Sequence, residues 1–299
     1  MHGSDSSPSL LFDRRAWRAH RERAARAMRG GDDAGFLHAE IAERLLDRLD
    51  IVNRNFAVAL DLGARDGALG DALAGRPGMR QVIGAEPAAA FLAGTPRPAV
   101  AADPELLPFA DCSFDLIVSN LVLHWCADLP GALIQLRRAL RPDGLLLAAM
   151  LGGATLVELR TVLFEAQLAE EGGVSPLVSP AVELGDAAAL LLRAGFALPV
   201  ADSELLTVSY PGMPALLRDL RGMGETNALT ARRRGGLRRA TLAHAATLYG
   251  ERFADGEGGI IATFEILFLS GWAPHPSQPQ PLPRGSAATP LADALRQKD

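Results

Sequence analysis

The stretch FAVALDLGARDGALGDAL, residues 56–73, constrains the fold most tightly. A short apolar run meets a glycine turn and passes directly into a helical pattern. The unit then recurs: RQVIGAE (80–86), PAVAAD (98–103), FDLIVSN (114–120) and LLLAAML (145–151) read as strands. Helical segments over 67–75, 87–94 and 129–144 separate them, the last with Leu133, Leu136 and Leu140 on one stripe and Pro142 and Gly144 as its stop. Continuous apolar runs of this length suit strands buried on both faces. Strands alternating with helices imply right-handed crossovers and a parallel sheet.

The flanks differ from this rhythm. Residues 13–29 and 36–49 read as two helices broken by RGGDDAG. Beyond residue 151 come helices over 154–171 and 181–195 and two final strands, 205–210 and 260–272. Between those strands, 211–255 is mainly helical and is expected to form a lid over the carboxyl edge of the sheet. From 274 the proline-rich PHPSQPQPLPRGS is expected to be extended or disordered. The expected organisation is a helical extension (1–50), a main domain (51–272) and a tail (273–299).

With 48% hydrophobic and 22% charged residues, a packed core is expected. A net charge of −5 gives no electrostatic case for nucleic acid. Seven arginines fall between Arg14 and Arg29, which reads as a solvated helix face. Cys112 and Cys126 lack metal-ligand spacing, so no metal site is expected, and a reduced, cytoplasmic compartment fits. The N-terminus lacks a basic-then-apolar signal pattern, and the most apolar stretch, 144–153, is too short to span a bilayer. A peripheral contact at the inner face of a membrane stays open.

In an open parallel sheet, ligands sit at the carboxyl ends of the strands. Those ends carry Asp61-Leu62-Gly63, Glu86, Asp103 and Ser119-Asn120. Gly63 permits a sharp turn and Gly67 close packing as a helix begins. A carboxylate at Glu86 can accept both hydroxyls of a ribose, and Asp103 can accept an adenine amine. No Lys-Ser/Thr pair follows the glycines and the spacing is not G-x-G-x-x-G, so neither a triphosphate nor a dinucleotide is favoured. The set favours an adenosine ligand without a diphosphate.

These motifs resemble a known family. LDLGARDG, GAEP, AADPELLPFADCSFDLIVSNLVLHWCADLPGAL and LRPDGLLLAAMLGG look like class I S-adenosylmethionine-dependent methyltransferases. More narrowly, LFDRRAWRAHRERAA, GGVSPLVSP, YPGMPALLRDLRGMGETNAL and SGWAPHPSQPQPLPRGSA resemble the assembly factors of respiratory complex I, over residues 11–287. Mitochondrial members of that family are understood to hydroxylate an arginine of an iron–sulfur subunit. LPFADCSFDLIVSNLVLHW and LLRDLRGMGETNAL are also similar to a sister family, the malonyl-acyl-carrier-protein O-methyltransferases of biotin synthesis.

The resemblance implies an enzyme with a seven-stranded Rossmann-like three-layer α/β sandwich, extended by N-terminal helices and a helical lid. It implies S-adenosyl-L-methionine as cofactor, with Asp61, Gly63 and Gly67 around the methionine moiety, Glu86 on the ribose, Asp103 on the adenine amine and Asn120 beside them. Arg65 stands where the family loop carries its central glycine. Its side chain would collide with the cofactor, or point away if φ stays negative.

His124 and Trp125 follow the fourth strand and Tyr210 begins the lid; each is a candidate for the reaction site or for packing. An arginine acceptor would call for carboxylates, with Glu158, Glu183 and Glu225 as candidates. A malonyl-type acceptor on acyl carrier protein would call for cations such as Arg218 and Arg221. A third expectation is a non-catalytic assembly factor that has lost turnover, motivated by Arg65.

Overall fold

The computed structural model describes residues 11–31, 34–93 and 95–279. The expectations for residues 1–10 and for the tail beyond 279 fall outside the described residues. The centre of the protein is one seven-stranded sheet in the order β3-β2-β1-β4-β5-β7-β6. Its strands are β1 (Val58–Leu62), β2 (Gln81–Glu86), β3 (Ala99–Ala101), β4 (Phe114–Asn120), β5 (Leu140–Leu151), β6 (Ala197–Tyr210) and β7 (Ile260–Trp272). The first five pair in parallel; β7 inserts antiparallel between β5 and β6. The strand order reverses beside β1, so the carboxyl ends of β1, β2 and β4 border one crevice.

Nine helices surround the sheet among the described residues: α1 (Arg14–Arg29), α2 (Phe36–Asp50), α3 (Ala68–Ala74), α4 (Ala89–Leu92), α5 (Leu129–Ala139), α6 (Val157–Glu171), α7 (Leu184–Arg193), α8 (Met213–Met223) and α9 (Arg239–Arg252). One face of the sheet packs on α2, α3, α6, α8 and α9, the other on α5 and α7 with Trp17 of α1. β5 shows why the short apolar runs lacked alternation. Leu145, Leu147 and Ala149 enter one core while Leu146, Ala148 and Met150 enter the other. β6, the edge strand, alternates half-buried with exposed residues and ends at the buried Tyr210.

Three boundaries move, and the largest shift is in β6, which begins at Ala197 rather than at 205. β5 starts at Leu140, so Pro142 and Gly144 lie within the strand rather than ending a helix. The start of the proline-rich segment is also not loose: Gln278 is buried, and its amide donates to Asp143 Oδ1 (2.8 Å) and to the Ala273 carbonyl (2.9 Å). The side-chain amide supplies a fold that hydropathy alone does not announce.

α1 is anchored at its start. Asp13 caps it through the Ala16 amide (3.0 Å), and the Asp13 amide donates to the Ala228 carbonyl (2.7 Å). Arg232 completes the tie on the same carboxylate (2.9 Å). Thus α1 and the segment after α8 are held together over the carboxyl edge of the sheet.

Candidate active site

The turn after β1 needs its glycines. Gly63 has φ +81°, and a Cβ there would lie 2.9 Å from the Asn120 carbonyl oxygen at the end of β4. Gly67 has φ +85° and precedes α3, where a Cβ would lie 3.2 Å from Arg97 Nη2. Between them Arg65 also adopts a positive φ, +48°, which costs a side-chain-bearing residue about 1 kcal/mol or more. Its side chain therefore points inward. The guanidinium is buried, donates to the Met223 carbonyl (3.0 Å), sits beside His38 (3.3 Å) and lies 5.1 Å from the Phe91 ring centre. Burial, with Arg21 nearby, brings the Arg65 pKa down to about 10. His38, buried against these cations, is held neutral, far below its ordinary value.

The strand-end acids are placed together, but two of them already hold cations. Glu86 and Arg21 are both fully buried and form a bidentate pair at 2.8 and 2.7 Å. Glu86 also accepts from the amides of Ala88 (3.1 Å) and Arg65 (3.3 Å). Asp103 is gripped by Arg14 through Nε (3.0 Å) and Nη2, and Arg14 stacks on Trp17 at 4.1 Å. Asp61 differs. Both of its buried oxygens lack a hydrogen-bond partner among the described residues, as do Asn120 Oδ1 and Ser119 Oγ. Burial pushes the Asp61 pKa up to about 7, with Arg97 opposing and Glu86 assisting. The Asn120 amide donates to the His38 carbonyl (2.9 Å).

Beyond this crevice a cavity of about 460 Å³ opens between α6, α8 and the segment after α8. Leu156, Leu159, Leu163, Leu217, Leu237 and Phe264 supply apolar wall, and His124, Trp125 and Glu225 sit at its polar end. His124 and Trp125 lie in a 3-10 turn (Leu123–Trp125) that drops them from β4 toward the cavity. Glu225 accepts from Trp125 Nε1 (3.0 Å) and meets His124 Nε2 (3.0 Å). Burial works against its charge, but His124, Arg21 and Trp125 outweigh it and hold the carboxyl below its ordinary value. An ionised carboxylate therefore faces the cavity.

Other candidates are elsewhere. Tyr210 is packed in the core at the end of β6 and does not line the cavity. Glu158 is spent on Thr263, whose hydroxyl and amide (3.2 Å) both bond to it. Glu183 precedes α7 against Gly153. Arg221 lines the cavity mouth and Arg218 an adjoining cleft. Sequence reading missed Arg21, Arg14 and His38. Their signal is periodicity: Trp17, Arg21, Ala24 and Ala25 share one buried stripe of α1, so Arg21 occupies a core position.

The sheet order with its antiparallel β7 and the crevice beside β1 define a class I methyltransferase fold. A methyltransferase-domain family matches residues 60–148. A solved structure, the YcgJ protein of Bacillus subtilis, superposes with a TM-score of 0.53 at 16% identity, covering 77% of this chain and 98% of that one. The human protein called arginine-hydroxylase NDUFAF5, mitochondrial, is 41% identical over 295 residues, covering 95% of this chain and 84% of the relative. A malonyl-[acyl-carrier protein] O-methyltransferase of Methylovorus sp. (strain MP688) is 33% identical over 284 residues, covering 90% and 92%. The chain belongs to the methyltransferase-fold family of these arginine hydroxylases, the complex I assembly factor family, with the carrier-protein methyltransferases as a more distant sister match. No helix among the described residues is long and apolar enough to cross a membrane.

Proposed function

We propose that this protein modifies an arginine of a protein subunit of a respiratory complex, with S-adenosyl-L-methionine held at the carboxyl ends of β1, β2 and β3. The carrying observation is the ionised Glu225, the one carboxylate among the residues lining a cavity with apolar walls and several arginines, in a chain alike over nearly its full length to arginine hydroxylases. A guanidinium is always cationic and needs such a carboxylate where it leaves water.

The residue types at these strand ends support the cofactor reading, although Glu86 and Asp103 are held by Arg21 and Arg14. Unpartnered oxygens on Asp61, Ser119 and Asn120, clustered at the ends of β1 and β4, support a polar ligand space there. Asp61 would face the amino-acid end, Glu86 the ribose and Asp103 the adenine. The cofactor, when bound, supplies a methyl sulfonium electrophile. For a ribose hydroxyl to reach Glu86, Arg21 must yield at least one of its two bonds. Arg65 must also swing away from the Met223 carbonyl if the cofactor chamber is to open toward Glu225.

A second reading, a malonyl-type acceptor on a carrier protein, is favoured by exposed Arg221, Arg233 and Arg234 at the cavity mouth. Calorimetry with S-adenosylhomocysteine tests the cofactor site, with Glu86→Gln as control. Incubation with arginine-bearing subunit peptides and with malonyl carrier protein, read by intact mass, tests the acceptor. A mass gain on the carrier protein alone would replace the arginine reading.

A further inference from the structure

The cavity does not end at its apolar walls. It shares His20, Arg221 and Thr226 with a second cleft, lying between α1 and α8, whose other lining residues are Arg23, Ala27, Arg218 and Gly222. Arg23, Arg218 and Arg221 are exposed, and no carboxylate lines this cleft. None of the three makes a side-chain hydrogen bond or ion pair among the described residues. Other arginines of α1 are engaged: Arg14 and Arg21 hold acids, and Arg26 pairs with Glu22. His20 supplies no negative charge to the cleft, and burial, which lowers its pKa, favours the neutral ring beside the Thr226 carbonyl (Nδ1, 2.9 Å). Three exposed arginines without a side-chain hydrogen-bond or ion-pair partner among the described residues therefore line one cleft that adjoins the cavity, in a chain whose net charge is −5.

We infer that this groove binds an acidic segment of a protein partner, lying next in sequence to the residue that enters the cavity. This deepens the arginine-acceptor reading and rests on it for what fills the inner cavity. Two physical points select a polypeptide. The cavity joins apolar walls to one carboxylate, Glu225, and to arginines such as Arg232, Arg233 and Arg234, so its occupant must offer apolar surface as well as acidic groups, which a polypeptide does and a polyphosphate backbone does not. A peptide can place Asp or Glu side chains in the outer groove and a neutral or cationic residue beyond them. At physiological salt charges are screened over roughly 8 Å. A docked segment therefore feels these local arginines, while the net negative charge of the whole protein keeps acidic surfaces from settling elsewhere.

The experiment uses the full chain and three fluorescent peptides, read by anisotropy at low and physiological salt. One carries an arginine beside a run of glutamates; the second has glutamines for the glutamates; the third keeps the glutamates and replaces the arginine by glutamine. The expected result is that the first binds at least about tenfold tighter than the second, weakens with salt, and loses its advantage in the exposed double variant Arg218→Glu/Arg221→Glu. Binding of the third peptide with the same dependence on Arg218 and Arg221 would keep the groove and remove the arginine reading of the cavity. Equal binding of the first two peptides, or a preference that survives charge reversal, overturns the inference. So does an unstructured RNA that outcompetes the first peptide through the same two arginines.

Discussion

Removing the cation from the Arg21–Glu86 pair is the sharpest test of how the crevice is built. Both side chains are fully buried and joined by two hydrogen bonds, at 2.8 and 2.7 Å. Arg21→Met keeps most of the aliphatic stem but leaves a buried carboxylate supported only by the Ala88 and Arg65 amides. Breaking one side of such a pair costs about 3–5 kcal/mol. At about 2–3 °C per kcal/mol for a chain of this size, the melting temperature should fall by about 6–15 °C. The double change Arg21→Met/Glu86→Leu removes both charges and should recover most of that loss. Differential scanning calorimetry of the four proteins decides it. A single variant within about 1 kcal/mol of the parent, or a double variant no better than the single, would refute the reasoning. Because Arg21 no longer competes for Glu86, S-adenosylhomocysteine should also raise the melting temperature of the single variant more than that of the parent.

Three further outcomes are expected. Asp61 has its folded pKa raised to about 7 from 3.8, so its neutral form is the one the fold favours. Its contribution is fully present below about pH 4 and is lost as pH rises through about 7; Asp61→Asn should flatten that decline in melting temperature between pH 4 and 8, and a steeper decline in the variant would contradict it. Arg65→Gly removes a desolvated guanidinium and a positive-φ side chain together, so it should not destabilise the protein and should tighten S-adenosylhomocysteine in calorimetry; weaker binding would make Arg65 a ligand contact instead. Ellman's reagent should titrate one thiol in the native protein, the exposed Cys112, and two after denaturation, since Cys126 is buried with its thiol pKa pushed far up; two fast thiols would show that the 126 region opens.

The parallel sheet was legible because its physics is local. Each strand is a short run of apolar residues that must bury both faces, and each helix between them has a stop that needs no distant partner, such as the glycine after α3. The strand-end acids were legible for the same reason, since topology alone brings Asp61, Glu86 and Asp103 to one edge. What contacts those acids was not. Arg21 lies 65 residues before Glu86, and an arginine-rich helix reads as a solvated face unless its periodicity is weighed against burial. Arg65 was visible as a departure from the glycine pattern, but its direction depends on the sign of φ, which the neighbouring glycines set through the turn. Glu225 became a cavity residue through its contacts with His124 and Trp125, about a hundred residues away in sequence. Tyr210 fell on the packed side of its strand, where one residue of register decides the face.

The internal occupancy of Glu86 and Asp103 by α1 bears on how relatives of this protein should be compared. A carboxylate that folding itself requires is kept whether or not a ligand ever visits it. Within this lineage, an acid at position 86 accompanied by a cation at position 21 is evidence of an intact helix dock. Loss of one partner should be tolerated only where the other changes with it. The side-chain oxygens of Asp61, Ser119 and Asn120 have no such cation or side-chain partner among the described residues. Variation at those three positions, and not at the paired acids, is where a lineage that had abandoned its cofactor would first differ.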